Sequence, residues 1–248
     1  MKRKILITGG SSGIGKEYAY QFAKLKKDLI LVARNEIELK KIKKDLENKY
    51  KIKCEYLIFD LSKLDKINQL CKIIEKENIE ILINNAGFGN RIPFSKTNYS
   101  ITQNMINVHI TATTLLTRAV LDQMIKRNSG KIINVASLAG YLFTSKSNII
   151  YNSTKRYIIH FSKNLQDEIK KQNKNIKIQA LCPGFTKTNF DKHAIFKTML
   201  PRLPSFMYME AKDVVLKSIK TLENRRVVYI PSFKNKILYF LLRLNFYR

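Results

Sequence analysis

The sequence predicts one α/β domain built on a doubly wound parallel sheet. Short apolar runs alternate with longer amphipathic runs, which is typical of a parallel sheet with helices on both faces. The first apolar run ends in a glycine-rich turn, and no linker, repeat or change of composition marks a second domain. At 248 residues, the chain is long enough for one well-buried domain and too short to need two.

Most of the candidate strands are apolar on both faces, as buried parallel strands should be. In chain order they are Lys4–Thr8, Leu29–Ala33, Cys54–Phe59, Ile79–Ile83, Lys131–Val135, Ile176–Cys182 and Val227–Ile230. The runs between them predict helices near residues 13–26, 36–49, 63–77, 101–127, 149–172 and 210–222. Right-handed crossovers would bring the ends of the first and fourth strands to a cleft where the strand order reverses, and ligands bind at such clefts. We expect the domain to span residues 1–232, with a substrate lid at about 185–210 and a basic amphipathic tail over 233–248.

The charge of the chain is strongly positive, because 46 basic and 19 acidic residues give a net charge of +27. Such a field attracts nucleic acid, anionic membranes or phosphate-bearing ligands. The alternative explanation of the charge is a compositional bias toward lysine, which would have no function. The lysines are spread along the whole chain, which favours the bias and argues against a nucleic-acid partner. Cys54, Cys71 and Cys182 lack metal-ligand spacing, so we expect reduced thiols and no metal. Without a signal peptide or an apolar run of about 20 residues, the prediction is a cytoplasmic protein.

The turn after the first strand predicts a dinucleotide site. Gly9, Gly13 and Gly15 follow a T-G-x-x-x-G-x-G spacing and lead into a helix, with Ser11, Ser12 and Ile14 in the same turn. Glycine allows the backbone to turn sharply beside a pyrophosphate, and the helix start offers free N–H groups and the positive end of its dipole. A plain strand-to-helix turn would look similar, but the position directly after strand one favours the dinucleotide.

Three later segments would complete the cofactor site. Arg34 ends the second strand, where its guanidinium would pair with a 2′-phosphate and so favour NADP over NAD, unless it is one more surface base. Asp60, followed by Leu61, could accept a hydrogen bond from the adenine amino group. Asn85 and Ala86 offer an amide and a small side chain where the chain passes the adenosine.

A second group of residues predicts proton chemistry. Tyr151 and Lys155 lie four residues apart, so on a helix they share a face. The ammonium favours the phenolate and brings the phenol, whose pKa is ordinarily about 10, nearer to neutral. Tyr151 could then protonate the oxyanion that forms when hydride reaches a carbonyl, while Ser137 would hydrogen-bond the same oxygen. An exposed helix face in a lysine-rich chain is the alternative interpretation of the pair.

The chain resembles the short-chain dehydrogenase/reductase family over nearly its whole length. The segments that carry the resemblance, in order, are Thr8–Gly15, Asn84–Gly87, Ser137, Tyr151 with Lys155, and Pro183–Thr188. The resemblance implies a Rossmann-like fold, NAD(P) chemistry on a small-molecule alcohol or ketone, and a homodimer or homotetramer. It further implies that Lys155 holds the nicotinamide ribose and that Thr188 lies in the segment that grips the carboxamide.

One position departs from the family. His109 stands where the family usually has an asparagine that supports a proton-relay water, and Asn107 is two residues out of register. His109 could serve through its backbone carbonyl or relay protons through its ring. Equally, it could be a helix histidine whose ring a neighbouring backbone group satisfies.

These observations together predict an oxidoreductase that moves a hydride between NADP(H) and a carbonyl or secondary alcohol. The alternatives are a non-catalytic basic binding protein on the same fold, and an epimerase or dehydratase-type relative. Apolar residues crowd the 185–210 lid, which favours a hydrophobic substrate. The tail over 233–248 suits a peripheral membrane contact, docking on its own domain, or a partner subunit.

Overall fold

The computed structural model of the chain describes residues 2–90, 92–142, 149–188, 208–224 and 226–244. Within them the strands, in chain order, are β1 (Lys4–Thr8), β2 (Asp28–Ala33), β3 (Cys54–Ile58), β4 (Ile79–Asn84), β5 (Gly130–Val135), β6 (Ile176–Leu181), β7 (Thr186–Lys187), β8 (Met209–Glu210) and β9 (Val228–Tyr229). The α-helices are α1 (Gly13–Lys24), α2 (Glu36–Tyr50), α3 (Leu64–Ile74), α4 (Tyr99–Ile106), α5 (Ala112–Lys126), α6 (Ile149–Lys171), α7 (Ala211–Thr221) and α8 (Phe233–Leu244). All seven predicted strands are present, and no end differs from its predicted position by more than one residue.

The main sheet has seven strands in the order β3-β2-β1-β4-β5-β6-β9, and every neighbouring pair is parallel. The strand order reverses between β1 and β4, as predicted, so the loops after these two strands diverge and leave a crevice. A second, two-stranded parallel sheet joins β7 to β8, which bracket residues 189–207. The predicted substrate lid therefore lies mostly outside the described residues.

Alternation along β1 explains why helices cover both faces of the sheet. Ile5 and Ile7 pack into one core cluster with α1, α2 and α7, whereas Leu6, on the opposite face, packs with α3, α5 and α6. Each of these three side chains is fully buried. Burial of a large aliphatic side chain contributes about 1.5–3 kcal/mol, so a strand that is apolar on both faces is held from both sides.

The predicted helix over 101–127 contains an irregularity that the sequence does not reveal. Between α4 and α5 the chain makes a π-helical turn over Asn107–Thr111, in which the Ala112 N–H reaches back five residues to the Asn107 carbonyl. A π turn holds one extra residue, so the side chains after it are rotated relative to those before it. His109 lies in this turn, fully buried.

A buried pair of amides joins the neighbouring strands β4 and β5. Asn84 and Asn134 are direct partners in the β4–β5 register, and Asn84 Nδ2 donates to Asn134 Oδ1 at 2.9 Å. Asn84 Nδ2 also donates to Thr117 Oγ1, and Asn134 Nδ2 donates to Ser162 Oγ. This polar cluster crosses from the sheet to α5 and α6 beneath the carboxyl edge.

The C-terminal tail forms a helix that docks on the domain with one face. Asn235 is buried, donates to Met209 Sδ at 3.5 Å, and lies so close to Gly184 that a Cβ there would be 2.5 Å from Asn235 Oδ1. One turn later the Tyr239 ring meets the Tyr141 ring edge-on at 4.6 Å between centroids. This face of the helix therefore docks on the parent domain, which is one of the alternatives that the sequence predicts.

Candidate active site

The glycine turn after β1 is shaped by close backbone contacts. Gly9 and Gly13 have positive φ values of 65° and 54°, a conformation that residues with a Cβ rarely adopt. A Cβ on Gly15 would lie 2.3 Å from the Gly9 carbonyl oxygen, so the first turn of α1 can approach the loop only with glycine there. Ser12 precedes the helix and caps it without a side-chain hydrogen bond. The resulting concave backbone is a cradle of the kind that holds a pyrophosphate at a helix start.

Asn85 supports this cradle from the neighbouring strand. Its Nδ2 donates to the Thr8 carbonyl at 3.0 Å and to the Gly9 carbonyl at 3.3 Å. In return, Thr8 Oγ1 accepts from the backbone N–H groups of Asn85 and Ala86. The sequence placed Asn85 and Ala86 beside the adenosine, and the structure adds that the amide of Asn85 fixes the glycine turn.

Thr188 also reaches the turn, from the far end of the chain. Gly13 faces it so closely that a Cβ on Gly13 would be 3.2 Å from Thr188 Cβ. The first strand's loop and the segment after β6 are thus in contact across the crevice. Two segments that are 175 residues apart in the sequence therefore form one surface, as the predicted cofactor site requires.

Arg34 and Asp60 lie at the ends of neighbouring strands. Arg34 follows β2 and is exposed, and its charge acts on the Asp60 carboxylate just beyond β3. Burial alone would raise the pKa of Asp60, but hydrogen bonds from Ser62 and the charge of Arg34 outweigh it and hold the pKa below its ordinary value. Leu61, next in the chain, is buried. An ionised Asp60 and a nearby guanidinium are suited to an adenine amino group and a ribose phosphate respectively.

The proposed catalytic pair meets at the start of α6. The Lys155 ammonium lies 5.6 Å from the centroid of the Tyr151 ring, as expected for residues one helical turn apart. Lys155 is 95% buried and donates to the Val135 carbonyl at 2.8 Å, at the end of β5. Ser137 is two residues beyond that carbonyl, where its Oγ accepts from the Ala139 N–H at 3.1 Å. Helix α6 thus brings its lysine to the strand end that carries the serine.

Burial perturbs the lysine strongly. Removal from water lowers the pKa of Lys155 to about 8. The buried Cys182 thiol is its neighbour, and burial raises the pKa of that thiol to about 12, so the thiol stays protonated. A lysine poised near neutral pH beside a phenol is the combination that proton transfer needs.

His109 lies beside the same turn but has both ring nitrogens occupied. Its Nε2 accepts from the Phe88 N–H at 3.1 Å, and its Nδ1 is 2.8 Å from Thr154 Oγ1. Burial first, and the charge of Lys155 second, hold the pKa of His109 well below its ordinary value. Of the two alternatives drawn from the sequence, this geometry agrees with a ring satisfied by a backbone group. Asn107 turns elsewhere, because its Nδ2 donates to the Ser62 carbonyl at 2.7 Å.

A small cleft opens beside Tyr151. Tyr151 forms part of its wall, and most of the other lining side chains are apolar, among them Ile92, Phe94, Ile101, Met105 and Ile149. Phe94 and Ile149 are exposed, so the apolar wall is in contact with solvent. Nothing in the sequence distinguishes these residues, because isolated aliphatic residues in a helix or a loop carry no functional signal of their own. Only their place in the same cleft as Tyr151 distinguishes them.

The described residues form no evident metal site. Among the described residues, no cluster of three or more His, Cys, Asp or Glu side chains could hold an ion. All three cysteines lie in described segments and are unpaired, in line with the expected thiols. No helix within those segments is long and apolar enough to cross a membrane.

Known proteins resemble this chain in both sequence and fold. The family model described as short chain dehydrogenase matches residues 3–197. A very-long-chain 3-oxoacyl-CoA reductase of Danio rerio is 35% identical over 191 residues, which are 75% of this chain and 59% of that protein. An NADP-dependent 3-hydroxy acid dehydrogenase of Schizosaccharomyces pombe is 36% identical over 197 residues, covering 76% of this chain and 73% of that protein. The chain thus spans about 60% of the length of the Danio rerio reductase.

A solved structure agrees over almost the full length. The short-chain dehydrogenase of Sphingobium yanoikuyae in complex with NADPH superposes with a TM-score of 0.87 at 29% identity, covering 98% of this chain and 93% of that one. The predicted Rossmann-like fold and the oxidoreductase class are confirmed by these relatives, one of which is named as NADP-dependent and another of which was solved with NADPH. This chain belongs to the short-chain dehydrogenase/reductase family.

Proposed function

We propose that this protein reduces a hydrophobic ketone, or oxidises the corresponding secondary alcohol, with Ser137, Tyr151 and Lys155 as its catalytic residues. The observation that carries the proposal is the buried Lys155 ammonium, one helical turn from Tyr151 and bonded to the strand end that leads to Ser137. A protein that merely reused the fold would have no need to bury a lysine there. Burial of an ammonium costs folding free energy, and function is the usual compensation.

The residues divide the reaction between them. NADPH, when bound, supplies the hydride, which adds its two electrons to the carbonyl carbon. Tyr151 donates its phenolic proton to the carbonyl oxygen, so that the C=O group becomes CH–OH. Ser137 steers the oxygen by a hydrogen bond, and the positive charge of Lys155 stabilises the phenolate that remains. The cofactor would rest on Gly9, Ser11, Ser12, Gly13, Ile14 and Gly15, with Arg34, Asp60, Leu61, Asn85, Ala86, Lys155 and Thr188 around it.

The Tyr151→Phe variant tests the proton donor directly. It removes one oxygen and keeps the ring that packs against His109, so folding should be unaffected. We expect NADPH to bind with nearly wild-type affinity and turnover to fall by roughly 1,000-fold, which is within the range for loss of a general acid. Tyr157→Phe on the same helix is the matched control. Near-normal turnover by the Tyr151 variant would refute the assignment.

Cofactor preference depends on Arg34. An exposed guanidinium at the end of β2 supports a 2′-phosphate contact, and a charge-assisted pair of this kind is worth roughly 1.5–3 kcal/mol. Arg34→Ala should therefore lower the ratio of kcat/KM for NADPH to that for NADH by about 10-fold to 100-fold. Lys126→Ala removes an equal charge from the opposite edge of the sheet and should leave the ratio unchanged. A wild-type enzyme that prefers NADH would sink the NADP assignment.

The apolar cleft beside Tyr151 supports a hydrophobic substrate, and the names of the relatives suggest a 3-oxoacyl chain. The sequence of the 185–210 segment is apolar as well. NADPH oxidation should be measured with a long-chain 3-oxoacyl-CoA, acetoacetyl-CoA and a steroid ketone. We expect the long chain to give the highest kcat/KM. If the short thioester is used as well as the long one, the cleft does not select for chain length.

The outer face of α8 supports a membrane contact. Phe233, Ile237 and Phe240 are exposed and fall on one face at helical spacing, opposite the face that docks through Asn235 and Tyr239. The helix contains three basic residues and no acidic one, and the chain has a net charge of +27. A basic helix with an aromatic and aliphatic face suits the surface of an anionic bilayer. We propose that the protein attaches peripherally from the cytoplasmic side.

Vesicle flotation distinguishes the membrane from other occupants of this face. The protein should float with phosphatidylcholine vesicles that contain phosphatidylserine, and Phe233→Ser together with Phe240→Ser should abolish flotation. Leu25→Ser removes an equally exposed apolar side chain from the end of α1 and serves as control. If flotation is unchanged while the α8 variant loses self-association, the face contacts a second copy instead. Sedimentation equilibrium of the same proteins also tests the homodimer or homotetramer that the family resemblance implies.

A further inference from the structure

His109 joins three separate segments of the chain through one line of hydrogen bonds. The Phe88 N–H, in the loop after β4, donates to His109 Nε2 in the π turn. His109 Nδ1 meets Thr154 Oγ1, and Thr154 Oγ1 donates to the Tyr151 carbonyl at 2.8 Å. The cofactor-side loop, the π turn and the first turns of α6 are therefore connected in series, and the last member is the backbone of the proposed proton donor.

The direction of these bonds sets the tautomer of the ring. A nitrogen that accepts from a backbone N–H carries no proton, so the proton of the neutral ring is on Nδ1 and points to Thr154. The Thr154 hydroxyl can then accept from His109 and donate to Tyr151, and every group in the line is used once. A charged imidazolium would place an N–H against the Phe88 N–H. Burial and the charge of Lys155, which faces the ring together with Tyr151, further oppose that charge.

Packing holds the ring in the same position. The His109 ring meets Tyr151 edge-on at 5.7 Å between centroids and lies 5.8 Å from the ring of Phe88. On its other side, Gly87 approaches so closely that a Cβ there would be 2.9 Å from His109 Nε2. These contacts and its two hydrogen bonds restrain the ring, so its nitrogens stay aligned with both partners.

We propose that His109 is a positioning residue, whose uncharged ring ties the loop after β4 to the catalytic turn of α6 and so fixes the place of Tyr151. The inference rests on the catalytic role proposed for Tyr151. It differs from proton relay through the imidazole, because both nitrogens are engaged and neither is open to a water or a substrate. Only an imidazole can make both bonds, since Nδ1 is two bonds from Cβ and Nε2 is three.

Two substitutions separate the two halves of the link. His109→Asn keeps a donor at the distance of Nδ1 for Thr154 and loses the acceptor for Phe88. His109→Gln keeps an acceptor at the distance of Nε2 and loses the donor to Thr154. His109→Leu removes both, and His160→Asn, at an exposed position on α6, is the matched control.

Turnover is measured with NADPH and a long-chain 3-oxoacyl-CoA. We expect kcat to fall about tenfold in the Asn and Gln variants and about 100-fold in the Leu variant, with KM for NADPH within twofold of wild type. A ring that relays protons would predict equal, severe losses in all three variants. A merely structural ring would lower thermal stability and leave kcat of the folded protein unchanged. Either of these last two results overturns the proposal.

A second readout does not depend on turnover. In the NADP⁺ complex labelled with ¹³Cζ-tyrosine, the Tyr151 signal is identified by its loss in Tyr151→Phe. It should shift or broaden in the Asn, Gln and Leu variants and stay in place in His160→Asn. A Tyr151 signal that is identical in all variants overturns the positioning role, even if the wild type proves inactive with every ketone. Inactivity of the wild type by itself contradicts only the proposed function.

Discussion

Buried Lys155 should make the stability of the protein depend on pH in a way that one substitution removes. Burial lowers the pKa of this lysine from its ordinary value of 10.5 to about 8. At about 1.36 kcal/mol per unit, the ammonium is destabilised in the fold by about 3 kcal/mol. Between the two pKa values the unfolded chain binds more protons, so the free energy of unfolding rises with pH. The cost is fully present below about pH 8 and is relieved as the pH approaches 10.5.

Lys155→Met isolates this contribution. Urea unfolding of both proteins, followed by far-UV circular dichroism from about pH 7 to about pH 10.5, gives the stability difference at each pH. Wild type should gain about 3 kcal/mol relative to the variant across this range. Lys155→Met also loses the hydrogen bond to the Val135 carbonyl. Because the neutral amine donates this bond as well as the ammonium does, its loss changes the stability difference by the same amount at every pH. Other titrating groups cancel between the two proteins.

The control is Lys163→Met, at an exposed position on the same helix. Its stability difference from wild type should not vary with pH. If the Lys155→Met difference is equally flat, the lysine is not held in a desolvated site. The physical reasoning that ties its burial to catalysis would then fail.

Three further substitutions test the cofactor side and the core. Gly15→Ala should weaken NADPH binding and destabilise the fold by about 1–3 kcal/mol, because its Cβ would lie 2.3 Å from the Gly9 carbonyl oxygen. If isothermal titration calorimetry gives an unchanged affinity for NADPH, the close approach does not shape the cofactor site. Asn85→Ala removes two hydrogen bonds that hold the glycine turn, so NADPH affinity should fall about tenfold in the same titration, with Asn85→Asp no better. Tyr18→Phe removes the donor to the buried Ser218 hydroxyl, which keeps its own bond to Gln179 Oε1. Thermal melts should show a loss of about 1–2 kcal/mol with activity retained.

The sequence is a good guide to the fold because the relevant signals are local. Strand β1 is five apolar-rich residues followed at once by a glycine turn, and both features can be read within a dozen positions. The pairing of β1 with β4 follows from crossover handedness rather than from any one residue. Bounds of helices were less certain, because helix ends are set by hydrogen bonds that sequence periodicity does not report.

The candidate site was only partly predictable. Tyr151 and Lys155 stand out because two residues that are four apart on a helix lie next to each other on its surface. The partners of His109 are 21 and 45 residues away, and nothing in the sequence marks its π turn, so neither its tautomer nor its neighbours could be foreseen. Asn85 shows the same limit, since an amide predicted to lie near the adenosine is bonded to two carbonyls of the glycine turn.

The amide pair between β4 and β5 has a consequence for how the site keeps its dimensions. Asn84 and Asn134 are complementary only when the two strands are aligned as observed. A slip of one residue would turn the amide of the displaced strand to the opposite face and break this bond, at a cost of several kcal/mol for polar groups left unsatisfied. Asn85 follows one strand and Ser137 the other, so this alignment acts as a register lock. The offset between Asn85 after β4 and Ser137 after β5 is set by the sheet itself, before any ligand arrives.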